Sequence, residues 1–376
     1  MTIYSHEDLA EVQALLQQDP DPFAPPKHLL AFEAQLAAFF HVQEAVAVSS
    51  GTAALHCALA AVGIGPGDEV LVPSVCVIMS VVPVLYTGAR PVFVDCQPDR
   101  VDFDYDDLQQ KLSPRTKVIL PVHLWGCAYD MERLLAFAAH HHLAIVEDAC
   151  QAHGATWSKQ YLGTWGNIGC FSMRDGKLIE TGEGGFLLTN SQDIAQRCRA
   201  FRTHWAHFHD PRLSYQHLGQ NYRLTEIQAL LACKQIQRLP EFLAQRRQQA
   251  EYLRKKLSVL PSLVPYSYDA HEESNQFSPV WLIDSSYIPA GIPRVLAQKG
   301  VVNSVGSFGL QPAQCWPVFH AHTVCDSSAI SREDTPHAAA FLARTLALTL
   351  LSHYTRSDLD AIVATIIETF REVERL

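Results

Sequence analysis

In the 376 residues lysine and arginine form no run longer than Arg254-Lys255-Lys256, and together they number 29 against 39 aspartates and glutamates, a net charge of −10. A surface this acidic does not bind nucleic acid at large, so any anion the protein holds must sit in a local pocket. The 10 cysteines contain no Cys-x-x-Cys pair and fall mostly in apolar segments. That pattern points to reduced, buried thiols in a cytoplasmic protein. The opening residues Met-Thr-Ile-Tyr-Ser-His-Glu-Asp have neither a basic nor an apolar region, so no secretory signal is expected. Residues 70–89 carry no charge and are as long as a membrane span. Pro73 and Pro83 interrupt them and Gly-Pro-Gly-Asp-Glu leads into them, so they read as strand, loop and helix of a buried core. No membrane is expected. Internal repeats and low-complexity segments are also missing. What is present, 48% apolar and 18% charged residues, suffices for a large core.

Up to about residue 190, strand-like and helix-like segments alternate. Gly51 opens a helix to residue 62 with apolar positions at Leu55, Leu59 and Val62, and another spans about 130–142. Short apolar runs at 45–48, 70–72, 91–94, 118–120 and 144–146 read as strands. Such runs separated by helices are what a parallel sheet covered on both faces requires. Residues 170–173 and 186–188 read as a further pair joined by a glycine-rich turn. After about residue 240 the character changes. A polar, basic helix at 245–257 and a strand at 280–283 precede Thr355-Arg356-Ser357-Asp358, a capping box. Leu359, Ile362, Val363, Ile366, Ile367 and Phe370 then repeat at helical spacing. The expected organisation is a large α/β domain over 1–240 and a smaller α+β domain over 241–376.

Four segments have chemistry to offer, and each alone has a plainer reading. Ser49-Ser50-Gly51-Thr52 ends an apolar strand and opens a helix, where free amides bind phosphate or simply meet an N-cap. Glu147-Asp148-Ala149-Cys150-Gln151-Ala152-His153 leaves a buried strand, and a carboxylate there needs a cation or serves as a helix cap. Lys177 follows a core strand and precedes Gly182-Glu183-Gly184-Gly185, so its amine reaches a cavity or solvent. Burial would lower its pKa toward that of a nucleophile. Gly219-Gln220-Asn221-Tyr222-Arg223-Leu224 offers hydrogen bonds to an anion, or is a loop.

In this order and spacing the segments resemble the pyridoxal-phosphate-dependent aminotransferases of keto-sugars and keto-cyclitols, the DegT/DnrJ/EryC1/StrS family of the aspartate-aminotransferase fold. The resemblance runs from about Phe32 to Val373. It is carried by residues 50–55, 65–70, Pro-Val-His-Leu-Trp-Gly at 121–126, 147–154, 171–185 and Asn-Tyr-Arg-Leu-Thr-Glu at 221–226. It implies a fold-type-I α/β architecture, a mostly parallel sheet with a smaller C-terminal domain. It also implies pyridoxal 5′-phosphate held by Lys177 as a Schiff base, with Lys177 then moving the proton. By the same resemblance, Asp148 pairs with the pyridine nitrogen and Gln151 lies near the phenolic oxygen. Gly51, Thr52 and Ser172 cradle the phosphate, and Asn221 reaches the phosphate of the neighbouring subunit of a homodimer. Glutamine or glutamate would donate nitrogen to a cyclic ketone. His123 and Glu183 lie in matching blocks but receive no role.

Two departures stand out. Val77 stands where relatives stack an aromatic ring on the cofactor, which bears on cofactor affinity or on which residue stacks there. Residues 302–319 lack the Tyr- and His-containing pattern of nucleotide-sugar members and, with Gly176-Lys177-Leu178, point toward cyclitol ketones or an aminohydroxybenzoate-type product. A dehydratase and a non-catalytic regulatory relative are the alternatives; the sugar dehydratases carry histidine where Lys177 stands. His140, His141 and His142 complement the dipole of the helix they close. His204, His207 and His209 have a spacing a metal could use, but no metal is expected. Trp125 and Trp205 read as packing or as a wall of a sugar pocket.

Overall fold

The structure, a computed structural model, describes residues 4–19, 24–206, 212, 214–284, 291–321 and 334–374. Helices α1 (His6–Leu16) and α2 (Lys27–Phe40) precede strand β1 (Glu44–Val48). There follow α3 (Gly51–Ala61), β2 (Glu69–Pro73), α4 (Ile78–Tyr86), β3 (Arg90–Val94), α5 (Tyr105–Gln110), β4 (Thr116–Ile119), α6 (Met131–His140) and β5 (Ala144–Asp148). The short strands β6 (Thr156–Trp157) and β7 (Gln160–Tyr161) lead to β8 (Ile168–Ser172), β9 (Gly185–Thr189), α7 (Gln192–Phe201) and α8 (Glu226–Leu257). The remainder holds β10 (Leu263–Pro265), β11 (Glu272–Glu273), β12 (Val280–Ile283), α9 (Ile292–Gln298), α10 (Pro317–Ala321), α11 (Pro336–Ala343), β13 (Thr345–Ala347) and α12 (Arg356–Glu374).

Seven strands form the central sheet in the order β1-β9-β8-β5-β4-β2-β3. It is mostly parallel, as the apolar runs predict; β9 alone runs against both its neighbours. Alternate residues of each strand enter different cores. Val46, Val48, Val70 and Val72 pack with Leu55, Leu59, Val81 and Val84 of α3 and α4. Ala45, Ala47, Leu71 and Phe186 pack with Phe32, Leu36 and Phe40 of α2 and with Ile236 of α8. The uncharged stretch 70–89 is β2, a loop and α4, and among the described residues no helix is long and apolar enough to cross a membrane. The cysteines of the described residues are unbridged, and all but Cys150 and Cys315 are buried; Cys325 lies outside those residues.

The change of character near 240 falls inside one continuous helix. α8 runs for 32 residues through Pro240. Its first half, with Ala229, Ala232, Ile236 and Leu239, packs beneath the central sheet. Its second half, with Ala250, Leu253 and Leu257, packs with Trp281, Leu346 and Leu359 around the three-stranded sheet β10-β12-β13. The amide of Asp358 donates to Thr355 Oγ1 and the Thr355 amide to Asp358 Oδ2, so the capping box starts α12 as expected.

β11 returns from the C-terminal part of the chain to pair with β6. Its Glu272 carboxylate is fully enclosed, accepts the Ala128 amide at 2.8 Å and lies 3.9 Å from Arg100. Burial, the largest cause, lifts its pKa from 4.5 to about 7. The folded chain therefore holds a proton that the unfolded chain has released, and stability falls as pH rises from 4.5 through 7. A shift of this size corresponds to a loss on the order of 3 kcal/mol. Glu272→Gln is expected to flatten this part of the Tm-against-pH curve, measured by calorimetry between pH 4.5 and 8.

Candidate active site

Strand register brings the candidate residues to one edge of the sheet. Gly185 pairs with both Val48 and Ser172, and Asp148 pairs with Cys170. The carboxyl ends of β1, β5 and β8 therefore lie side by side, where open α/β sheets receive ligands. At the end of β1 the chain enters α3. The Ser50 hydroxyl accepts the Ala53 amide at 3.0 Å, which leaves the amides of Gly51 and Thr52 without an intrahelical acceptor. Gly51 is required by proximity. A methyl group there would lie 2.7 Å from Ser172 Cβ and 2.9 Å from Cys150 Sγ.

Asp148 closes β5, buried, with its carboxylate accepting the Ser80 hydroxyl at 2.5 Å and the Cys150 amide at 3.0 Å. Both donors are neutral, and no cation meets this carboxylate among the described residues. Gln151 follows, its Oε1 accepting the Trp125 amide at 2.8 Å. Lys177 sits on the turn after β8, its amine in no hydrogen bond or ion pair with the described residues and 4.8 Å from the ring centre of Phe277. Burial of the amine lowers the pKa of Lys177, and Arg174 adds to the effect. Cys150 and Asp148 act the other way, which places both near the amine.

His153 is buried against the stacked pair Phe171 and Phe186 in edge-to-face contacts, with ring centres 5.3 and 5.9 Å away and neither nitrogen with a hydrogen-bond partner among the described residues. Burial first, and the charge of Lys177 second, push its pKa down to about 3, so it is neutral. Asn221 is exposed, yet the carbonyl of its neighbour Tyr222 accepts the Ser49 amide at 2.8 Å, which fixes the segment beside the start of α3.

Of the sequence candidates, Gly51, Ser172, Asp148, Gln151 and Lys177 converge, half-buried Thr52 adjoins them, and Asn221 lies at the margin. Val77 caps α4 without an aromatic face. Ser80, Asn275 and Phe277 escaped sequence reasoning, since a lone serine in an apolar helix and a loop far along the chain leave no local signal. Glu147 has a different task from its neighbour. Its carboxylate accepts His123 Nε2 at 3.0 Å and the amides of Gly163, Trp165 and Gly166 at 2.7, 2.8 and 2.7 Å. Trp125 is buried and donates from Nε1 to Ser304 Oγ at 2.8 Å. Glu183 and His204 are exposed, and His207 and His209 lie outside the described residues. Among the described residues no three His, Cys, Asp or Glu side chains form a metal-holding group.

The model of the DegT/DnrJ/EryC1/StrS aminotransferase family matches residues 3–367. A GDP-perosamine synthase of Caulobacter vibrioides is 35% identical over 341 residues, 90% of this chain and 89% of that one. An L-glutamine:2-deoxy-scyllo-inosose aminotransferase of Streptomyces kanamyceticus is 36% identical over 231 residues, 59% of this chain and 54% of that one. The crystal structure of DesV from S. venezuelae superposes with a TM-score of 0.83 at 30% identity, covering 97% of this chain and 94% of DesV.

Proposed function

Given that the chain belongs to the DegT/DnrJ/EryC1/StrS aminotransferase family, and is with it a pyridoxal-phosphate-dependent aminotransferase, we propose that the cluster at the sheet edge is its active site. The residues present fit the cofactor. Lys177 offers an unpartnered amine, the amides of Gly51 and Thr52 at the start of α3 have no intrahelical acceptor, and the buried Asp148 carboxylate has only neutral donors. When bound, pyridoxal phosphate supplies the electron sink and carries nitrogen between the two substrates. Lys177 holds it through the amine and, once displaced, takes up and returns a proton at Nζ. Asp148 keeps the ring nitrogen protonated, while Ser80 and the Cys150 amide hold that carboxylate in orientation. Gln151 would lie toward the phenolic side, Gly51 and Thr52 would take the phosphate on the amides of α3, and the Ser172 hydroxyl of β8 would add to that cradle.

The amino donor is glutamine or glutamate and the acceptor a keto-sugar. The GDP-perosamine synthase, alike over nine-tenths of the chain, supports a sugar ring as acceptor. The kanamyceticus relative, whose name gives L-glutamine as donor, supports a cyclitol ketone as second reading, the one toward which residues 302–319 lean. The reaction takes place in the cytoplasm. The single observation that carries the reading is the amine of half-buried Lys177, without a hydrogen-bond or ion-pair partner among the described residues, near Asp148 at the same end of the sheet.

The test is the absorption spectrum of the purified protein before and after glutamine or glutamate. A near-ultraviolet or visible band that shifts with donor, and is missing in Lys177→Ala, supports the reading. A band that no amino donor shifts overturns it. Product mass then separates amination from dehydration, and sugar from cyclitol.

Asn221, exposed beside the phosphate cradle, serves the neighbouring subunit of a homodimer in this reading. Subunits carrying Lys177→Ala and Asn221→Ala, each inactive as a homodimer, should therefore complement one another. Mixed at equal amounts and allowed to re-pair, they are expected to recover about a quarter of wild-type activity, from hybrids with one intact site. An asparagine acting within its own subunit would give no recovery.

A further inference from the structure

Residues 274–278, between β11 and β12, form a strap across the active-site loop from the far part of the chain. Asn275 is fully buried, and its Nδ2 donates to the carbonyls of Gln151 and His153, both at 3.0 Å. Its Oδ1 accepts the Phe277 amide at 2.9 Å. The Ser278 amide donates to the Trp125 carbonyl at 3.4 Å, and Gln276 Oε1 accepts Arg254 Nη2 at 2.6 Å. The approach is close enough to require glycine at 126, where φ is 81° and a Cβ would run into Asn275 Oδ1. Two bonds from Asn275 thus fix the strap to the loop carrying Asp148 and Gln151, and Ser278 and Gln276 tie it to Trp125 and to Arg254 of α8. Phe277, half-buried at its centre, has its ring 4.8 Å from the Lys177 nitrogen.

We propose that Phe277 is a positioning residue for Lys177, its ring face holding the nitrogen of that side chain in place and favouring the cationic form there, with Asn275 locking the ring to the cofactor loop. The proposal rests on the reading of Lys177 given above. A cation over an aromatic face is attracted by the ring quadrupole, and more strongly where water is excluded. Leucine would preserve the apolar cover without the π face, and tyrosine would preserve both. The other groups around this nitrogen are the Asp148 carboxylate, the Cys150 thiol, the Arg174 guanidinium and the neutral His153, and none of them is altered by these substitutions.

The experiment is a pH titration of the cofactor band in the holoenzyme, with the fold of each variant checked by circular dichroism. In Phe277→Leu the midpoint is expected to fall by about half a unit to one unit, and in Phe277→Tyr to stay at the wild-type value. A leucine variant with an unmoved midpoint overturns the proposal, and so does one whose midpoint rises, because the ring would then act only by excluding water. A folded leucine variant that binds no cofactor also overturns it, assigning the ring to the cofactor instead of the lysine. A wild type with no band overturns the functional reading and this proposal together. A wild type with the band and an unmoved leucine variant overturns this proposal alone.

Discussion

Lys177→Ala is expected to lower transamination by at least ~10³-fold while leaving a folded chain, since proton transfer by a positioned group alone contributes about 10²–10⁴-fold. Removing the amine also removes the bond that holds the cofactor. Folding should not suffer. Lys177 is half-buried and its amine makes no hydrogen bond with the described residues, and desolvation lowers its pKa from 10.5, so the charged form is a cost to the native state. In the cofactor-free protein the unfolded chain keeps its proton up to 10.5, whereas the folded chain releases it earlier. Wild-type stability therefore rises with pH across that interval, and the alanine variant should lack this rise. Single-turnover assays with glutamine, together with Tm against pH, check both halves. A variant with near-normal turnover would remove Lys177 from the chemistry.

Glu147→Ala is expected to produce the largest loss of stability, about 3–5 kcal/mol, the range seen when a buried charged network loses one partner. The carboxylate accepts four hydrogen bonds at 2.7 to 3.0 Å with its side chain wholly enclosed. Three of the donors are the backbone amides of Gly163, Trp165 and Gly166, whose hydrogen bonds among the described residues go to this carboxylate. Each such amide left unsatisfied costs about 1–3 kcal/mol. Glu147→Gln keeps the shape and one accepting oxygen, so about half of the loss is expected. Chemical denaturation of the three proteins gives the comparison. Equal stability of wild type and alanine variant would mean that water replaces the carboxylate.

Glu147 and Asp148 show what sequence reasoning reaches and where it stops. A pair of carboxylates leaving an apolar strand signals that something polar must meet them, and both are met. Strand alternation sends them to opposite faces, one to bind a loop of the scaffold and one to face the site. The central sheet was legible because its strands are short apolar runs bounded by turn residues, and the residues proposed to hold the cofactor could be picked out because they cluster just after strand ends. Position 240 was read as a boundary because helix α8 changes the core it serves there, and its composition changes with it. The strap was illegible for another reason. Asn275 and Gln151 are 124 residues apart in the chain, and nothing local to either announces the contact. Ser80 was hidden similarly, its partner Asp148 lying 68 residues further on.

The antiparallel insertion of β9 has a consequence for synthesis on the ribosome. β1 is the first strand made, and its hydrogen-bonding partner is β9, with Glu44 opposite Thr189 and Val48 opposite Gly185. At roughly 5–20 residues per second, β1 waits on the order of ten seconds for that partner to emerge. Throughout that interval its Ala-Val-Ala-Val run is an unpaired edge, apolar on both faces. Helix α2, complete just before β1, covers one of those faces from the start through Phe32, Leu36 and Phe40. Early docking of this helix would protect the nascent chain from aggregation until the sheet can close around β9.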